Sequence, residues 1–429
     1  MYKIKRSLAS LSATLLLGAM ALSPFAGGVA LAQPVPPGGP PQLPPLPANE
    51  TMVAGGLNAP RGIKFGPDGS LYVAEAGVGG TNSTKGQCAP VGNGNPPVTG
   101  SKNGSRIMKV AADGTVSVAV ANLPSDQSVE QGQIETIGVA DVALVGDTLY
   151  GLIAGGGCSH GVPDVPNAVI KANGDGTWTQ VADLSAYHKA NPIAKPDAAD
   201  FEPDGNWYSM VAAEGALYAI EANGGELIKI TTDGKVSRVV DLSATYGHIV
   251  PTGMDYHDGN FYVGDLGNPS FRPGGSRVYK ITTDGQVSVY AQGLSAITGL
   301  AVGSDGTVFV TEFAATGAPG IGTGGVVRIN MSGGLYLVGG GLTAPTGGTF
   351  GPDGKLYVSN FSAGGPPGSG QVVMVDTSVA GTPVMAPVGM PQTGTSSGSN
   401  LSEVALLAAL LVLAGALLRV VYTRKAADR

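Results

Sequence analysis

The sequence predicts an all-β chain: a six-bladed β-propeller closed by its own N-terminal strand, carried between a signal peptide and a C-terminal transmembrane helix. Three observations predict it. A block of apolar strand, tight turn and returning strand recurs six times between two Pro-rich linkers. A second hairpin follows each of the first five blocks. A strand is missing at one end of the repeat region, and a matching strand is spare at the other.

The first block is Pro60-Arg61-Gly62-Ile63-Lys64-Phe65-Gly66-Pro67-Asp68-Gly69-Ser70-Leu71-Tyr72-Val73-Ala74-Glu75. Alternating apolar runs either side of Asp-Gly read as a hairpin. The block returns at 251–265, 298–312 and 345–360, and with a less regular turn at 140–153 and 208–221. The second hairpins turn at Asp113-Gly114, Asp175-Gly176, Asp233-Gly234, Asp284-Gly285 and Gly333-Gly334. Two hairpins per unit are the four strands of a propeller blade. In the sixth unit only Gly370 to Val375 follows the block. Thr51-Met52-Val53-Ala54-Gly55-Gly56-Leu57 stands ahead of the first unit and matches the fourth-strand ending Tyr290-Ala291-Gln292-Gly293-Leu294. Placed in the last blade, it leaves no unpaired terminal edge.

The propeller is expected to span 51–380. The chain has 429 residues with 69 Gly and 31 Pro, and the glycines fall in turns between regularly spaced apolar runs, which argues for many short strands rather than disorder. Residues 1–32 read as a signal peptide: Lys3, Lys5 and Arg6, then an apolar stretch, then Ala30-Leu31-Ala32. Residues 33–50 form a Pro-rich spacer. Residues 381–400 are a second linker, 401–422 an apolar span of bilayer length, and 423–429 a basic tail that places the C-terminus in the cytoplasm. The propeller then stands on the extracellular face of the cell membrane or wall. Met390-Pro391-Gln392-Thr393-Gly394, ahead of the apolar span, resembles the sortase sorting signal with Met in place of its usual Leu. The resemblance implies cleavage after Thr393 and attachment to the cell wall; without cleavage the helix remains the membrane anchor.

Formal net charge is -7. Set aside the seven basic residues of the two ends and Asp428, and 17 basic residues face 30 acidic ones, about -13. Such a surface repels phosphate backbones and excludes nucleic acid as a partner. Cys88 and Cys158 each follow a second strand of a block, in equivalent loops of neighbouring repeats, and export permits a disulfide between them.

No nucleophile elbow, Walker loop, zincin helix or dinucleotide fingerprint stands in a suitable context. His160, His188, His248 and His257 are scattered; His257 is expected at an exposed turn and His160 on the shared rim. The second strands end in Glu75, Glu221, Asp265, Glu312 and Asn360, and equivalent positions in a propeller ring the central channel. Asp141 and Asp255 could join them. Such a ring suits a hard cation, calcium above all. The alternative is that each acid bonds the backbone of its own loop. Insertions at 77–104, 157–167 and 183–207 lengthen only the early blades, where a repeat fold usually carries its binding loops.

These residues resemble the ScyD/ScyE family of secreted propellers named from clusters for the sheath pigment scytonemin. The likeness rests on the first block, on Val181-Ala182-Asp183-Leu184-Ser185-Ala186-Tyr187, on Pro251-Thr252-Gly253 with Tyr262-Val263-Gly264-Asp265-Leu266, and on Val289 to Leu294. It covers 51–378 and departs around 196–210, where Phe201-Glu202-Pro203-Asp204-Gly205-Asn206-Trp207-Tyr208 stands in place of the family's usual short Asn-Pro-Tyr-Gly stretch. The resemblance implies fold and export and no catalytic motif. The sequence therefore reads first as a displayed module that binds an extracellular protein or glycan. The alternative is a calcium-dependent lactonase- or sugar-dehydrogenase-like enzyme, or an accessory protein of scytonemin-like secondary-metabolite biosynthesis.

Overall fold

Apolar residues on alternate positions pair strand to strand into six sheets, and the sheets meet face to face around one axis. The structure, a computed structural model, describes residues 45–91, 97–130, 133–267, 272–315 and 322–384. The expected signal peptide, the motif at 390–394, the helix at 401–422 and the tail lie outside these residues. Among the described residues no helix is long and apolar enough to cross a membrane.

The chain begins with β1 (Glu50–Leu57). Blade one follows as β2 (Pro60–Phe65), β3 (Leu71–Glu75), β4 (Thr99–Val110), β5 (Val116–Glu130) and β6 (Gln133–Ile137). Blade two is β7 (Val139–Val145), β8 (Thr148–Ile153), β9 (Ala168–Ala172) and β10 (Trp178–Asp183). Blade three is β11 (Trp207–Ala213), β12 (Ala216–Glu221), β13 (Glu226–Ile230) and β14 (Val236–Asp241). Blade four is β15 (Pro251–His257), β16 (Asn260–Asp265), β17 (Ser276–Thr282) and β18 (Val287–Leu294). Blade five is β19 (Ile297–Val302), β20 (Val308–Glu312), β21 (Gly324–Ile329) and β22 (Leu335–Leu342). Blade six is β23 (Gly348–Phe350), β24 (Leu356–Asn360) and β25 (Gly370–Val375), and β26 (Thr382–Pro383) ends the described chain.

The first strands of the blades touch in a closed circuit, β2 to β7, β11, β15, β19, β23 and back to β2. The closure is as expected. β1 pairs antiparallel with β25, from Glu50 opposite Val375 to Leu57 opposite Gly370, and completes a four-stranded sheet in the order β1-β25-β24-β23. Ala54 and Leu57 are buried with Ile63, Val73 and Val372. Phe65 of blade one meets Tyr357 of blade six edge-on at 4.8 Å, so the joint is packed like the others.

Three details differ from the expected four-stranded repeat. Blade one has a fifth strand, because β5 runs on through Asp126 and turns back as β6. Blade five gains β26, which pairs with β22 from within the expected linker. At the other end, Leu46 packs on blade five and six side chains, and Asn49 donates to the carbonyl of Val338 at 2.8 Å, so the Pro-rich spacer is docked before residue 51. The first hairpins of blades two to four close in two residues, with Val145 opposite Thr148, Ala213 opposite Ala216 and His257 opposite Asn260, while the second hairpins take longer turns. In Ala111-Ala112-Asp113-Gly114 the glycine N–H donates back to Ala111, the glycine is left-handed at φ 83°, and Asp113 accepts from the N–H of Thr115.

Antiparallel pairing puts the start of each first strand and the end of each second strand on one rim. The loops after β3, β8 and β10 share it. They hold the disulfide and the helix α1 (Leu184–Ala190), which is capped at its N-terminus by Asp183 accepting from the N–H of Ala186. A second short helix, α2 (Ser243–Tyr246), stands in the corresponding place after blade three.

Candidate functional site: the rim over blades one to three

A bulge in the opening residues of the first strands turns side chains toward the axis. The register slips between Pro60 and Ile63, Val139 and Asp141, Trp207 and Ser209, Pro251 and Met254, and Ile297 and Gly299. In the later blades the bulge carries threonine. Thr252 donates to the carbonyl of Ile297 at 2.6 Å, Thr298 to that of Pro345 at 2.8 Å, and Thr346 to that of Pro60 at 3.2 Å. Each bond ties one blade to the next. In the next position stand Gly253, Gly299 and Gly347, where a Cβ would run into the neighbouring blade's backbone.

Blades one to three break this pattern. Arg61, Ala140 and Tyr208 replace the threonines, and Asp141 and Ser209 replace two glycines. Asp141 accepts from the N–H groups of Met210 and Val142, each at 2.8 Å, and from the hydroxyl of Ser209 at 2.9 Å; burial pushes its carboxyl up to about 6. Lys64 reaches across from blade one to Asp255 of blade four at 3.7 Å, and its charge also acts on Asp141. The space left at the axis is about 90 Å³, room for a few water molecules.

The ring of expected ligands resolves into separate loops. Glu75 accepts from the N–H of Asn58 at 3.0 Å, Glu221 from that of Asn206 at 2.7 Å, Glu312 from that of Ser295 at 2.8 Å and Asn360 from that of Thr343 at 2.7 Å. In all four the partner lies in the loop leading into the same blade. Asp265, shorter by one methylene, takes the N–H of Arg277 at 3.0 Å instead. Glu75 is further paired with Arg106 at 2.5 Å. Asp255 accepts from Val302 at 2.9 Å and, like Asp141, binds the next blade rather than joining the acids. Among the described residues no group of three or more His, Cys, Asp or Glu side chains is placed to hold a metal ion. A shared calcium would have to draw each carboxylate out of its backbone bonds, so these residues as they stand do not fit one.

Cys88 and Cys158 form a disulfide, with Cα atoms 6.2 Å apart, between the loops of blades one and two as expected. Immediately beyond Cys158, His160 turns under the rim and is 1% exposed. Its Nδ1 is 2.5 Å from Asp126 Oδ2 and its Nε2 is 3.6 Å from Glu202 Oε2. Burial opposes the imidazolium, but the charge and hydrogen bond of Asp126 outweigh it and raise His160 to about 9. Asp204 accepts from the N–H and hydroxyl of Ser159 at 2.9 and 2.6 Å and from Lys189 at 2.6 Å; burial works against its charge, and these bonds hold it below the usual carboxylate range. Burial pushes Glu202 up to about 8, and its Oε2 has no hydrogen-bond partner. His257, expected exposed, is half-buried.

Beside this cluster a pocket of about 150 Å³ opens between α1 and the loop that follows it. Pro192, Ile193, Phe201 and Pro203 wall it, and Glu202, Glu221 and His188 reach into it. Phe201 is stacked beside His188 with ring centres 6.3 Å apart, yet is 45% exposed. Sequence reasoning named His160 and Glu221 but not Asp126, Glu202, Asp204 or Phe201. The departure from the family pattern at 201–208 was the available signal.

No family model matches the chain, and no curated protein matches it, so the ScyD/ScyE resemblance rests on the residues quoted for it. Solved structures do match over most of the chain. A gluconolactonase from Xanthomonas campestris is 12% identical, covering 76% of this chain and 88% of its own, with a TM-score of 0.44. Regucalcin, a calcium-binding protein from Agrobacterium tumefaciens, is 13% identical over 75% of this chain and 91% of its own, with a TM-score of 0.44. A catalytically inactive virginiamycin B lyase from Staphylococcus aureus, solved with quinupristin, is 11% identical over 76% of this chain and 98% of its own, with a TM-score of 0.41.

Proposed function

We propose that the protein is an exported propeller of the ScyD/ScyE type, held at the outer face of the cell by its C-terminal segment or joined to the wall through Thr393, and that it binds an extracellular protein or glycan on the rim over blades one to three. The observation that carries this reading is the asymmetry of the ring. Blades four to six repeat one structural solution, Thr and Gly at the start of each first strand. Blades one to three replace it with Arg61 and Tyr208 and carry the insertions, the disulfide and the exposed Phe201. Side chains that stitch a ring are interchangeable between blades; side chains that meet a ligand are not. The disulfide supports export, since oxidising compartments preserve such bonds.

The test is an array of bacterial glycans and extracellular peptides probed with the full-length chain. Binding is expected to fall at least tenfold with Phe201→Ala and to be unchanged with Met331→Ser, which alters an 88% exposed residue on the opposite face. Equal binding by both variants, or none by the wild type, overturns the reading. One observation favours the enzyme alternative. The Asp126–His160 pair with Glu202 beyond it is a set of groups able to hold and pass a proton. Turnover of lactones by the wild type and its loss in His160→Gln would carry that alternative instead.

A further inference from the structure

The pocket beside α1 is walled by apolar side chains and floored by carboxylates, and its positive neighbours are already engaged. Lys189 is bonded to Asp204 at 2.6 Å, Arg238 to Glu226 at 2.7 Å and His248 is paired with Asp200 at 3.2 Å. His160 is bound to Asp126 on its other side. What faces the cavity from the loop and from β12 is Asp197, Asp200, Glu202 and Glu221, against His188 and the engaged Lys189. Glu202 is 6% exposed; its Oε1 accepts from Asn206 at 2.9 Å and Asn223 at 3.2 Å, and its Oε2, 3.6 Å from His160 Nε2, is left with that charge contact and no hydrogen bond. Behind it the buried His188 Nδ1 and Glu226 Oε1 face each other at 4.0 Å, too far apart for a hydrogen bond. A buried carboxylate oxygen with no donor is costly, and a cation that arrives with its own donors relieves it.

We propose that this pocket takes a primary ammonium on an apolar stem, such as a lysine side chain of an extracellular peptide, with the stem against Pro192, Ile193 and Phe201 and the ammonium on Glu202 Oε2, while Glu221, both of whose oxygens accept backbone N–H groups, adds only its charge. The proposal rests on the rim-binding reading and names the group recognised there. The size agrees: about 150 Å³ accommodates one side chain. A compact ammonium suits the one carboxylate oxygen of Glu202 that has no hydrogen bond, whereas the planar fork of a guanidinium needs both oxygens of a carboxylate presented edge-on, and Glu202 Oε1 is taken by Asn206 and Asn223. Burial holds Glu202 partly protonated near neutrality, so the experiment belongs at pH 8.5, where the ammonium is still charged.

Saturation-transfer NMR and calorimetric titration of the full-length chain with Nα-acetyl-lysine methylamide are expected to show binding. Nα-acetyl-norleucine methylamide, with the same stem and no charge, is expected to bind at least tenfold more weakly. Glu202→Gln keeps an oxygen for Asn206 and Asn223 and is expected to lose binding at least tenfold with its melting temperature preserved. Ile193→Trp fills the pocket while leaving the carboxylates in place, and is expected to abolish binding even if the first variant misfolds. Asp353→Asn, on the opposite face, serves as the control. Equal binding of the norleucine compound, or undiminished lysine binding by the Ile193 variant, overturns the proposal. Array binding lost with Phe201→Ala but no lysine binding removes this pocket assignment alone. Lysine binding with a blank array leaves the assignment standing and removes the rim reading.

Discussion

Ala59, Ala296 and Ala344 sit at φ of 50°, 50° and 44°, a left-handed conformation that costs a non-glycine residue about 1–2 kcal/mol. Ala59 and Ala296 stand immediately before β2 and β19 and Ala344 a few residues ahead of β23, and each follows a residue whose N–H is held by the recurring acid or amide: Asn58 by Glu75, Ser295 by Glu312, Thr343 by Asn360. The recurrence of acids in the sequence thus reports a device that pins a strained corner. Two outcomes follow from this. Ala296→Gly is expected to raise stability by up to about 1 kcal/mol, because relief of the left-handed alanine exceeds the entropy glycine adds to the unfolded chain. Glu312→Ala is expected to cost about 1–3 kcal/mol by orphaning the Ser295 N–H, while Glu312→Gln keeps an acceptor and loses little. Chemical denaturation of the four proteins measures all three differences; a stabilised Glu312→Ala would show that the corner does not need its clasp. The acids were legible as a set, and so was the alternative that each serves its own loop. Their partners were not, because which N–H a carboxylate meets depends on the bulge that opens each first strand, and a bulge reverses the in–out alternation from which a strand is read.

Elements whose periodicity is strict were the easiest to place. The Asp-Gly hairpins, the six units and the exchange of β1 into the last blade all follow from short-range pattern and a count of missing and spare strands. The extension of β5 through Asp126 to β6 was missed because its polar Ser-Asp-Gln-Ser run reads as loop; the strand is held by pairing with β4 and β6 rather than by an apolar face. That one miss concealed the partner of His160. For β1 the expectation is sharp. Leu57 is 1% exposed and Ala54 is 5% exposed, both against the facing blades, and deleting residues 51–57 removes their burial and uncovers the edge of β25. The melting temperature should fall by roughly 10 °C or more, or the chain should associate through the open edge. The disulfide acts on a different element. It closes a loop of 70 residues between two rim connections, and its loss in Cys88→Ser with Cys158→Ser is expected to cost about 2–4 kcal/mol. Because Thr84 Oγ1 bonds the carbonyl of Cys158 and Asn82 Nδ2 that of Gly161, both at 2.5 Å, hydrogen exchange in that variant should rise first at residues 81–90 and 157–162 and leave β15 to β22 protected.

Across the whole molecule the titratable groups that are raised in the fold pull stability in one direction, and the buried Asp204, held low by Lys189 and Ser159, pulls in the other. Burial raises Glu50 and Glu312 to about 7, Asp141 and Asp265 to about 6, and Glu202 to about 8. A carboxyl whose folded value lies above its unfolded one binds its proton more tightly in the fold. Its contribution is present in full below about pH 4 and is lost as pH rises through the folded value. The raised histidines act the same way: His160 and His188, with burial opposing and carboxylate neighbours prevailing, and His248 through its bond to Asp200, contribute below about pH 6.5 and lose that contribution above their folded values. The turn acids act oppositely. Asp68, drawn down to about 2 by Lys109 and the N–H of Ser70, and Asp113, Asp175, Asp233 and Asp305, drawn down by bonds within their own turns, stabilise above about pH 4 and lose that contribution as the pH falls toward 2. The two sets leave a maximum between them. Scanning calorimetry from pH 3 to 9 is expected to place the highest melting temperature near pH 4–5, with a steady decline to pH 8. In Glu50→Gln, where the amide can still accept from Gly340, the decline between pH 5 and 8 should be shallower than in the wild type, because the proton that the closing strand retains is no longer there to be lost. A melting temperature that climbs from pH 5 to 8 would mean that the carboxyls beneath the rim and along the closing strand find counter-cations in solution, and that the ring is held against charge by more than its own side chains.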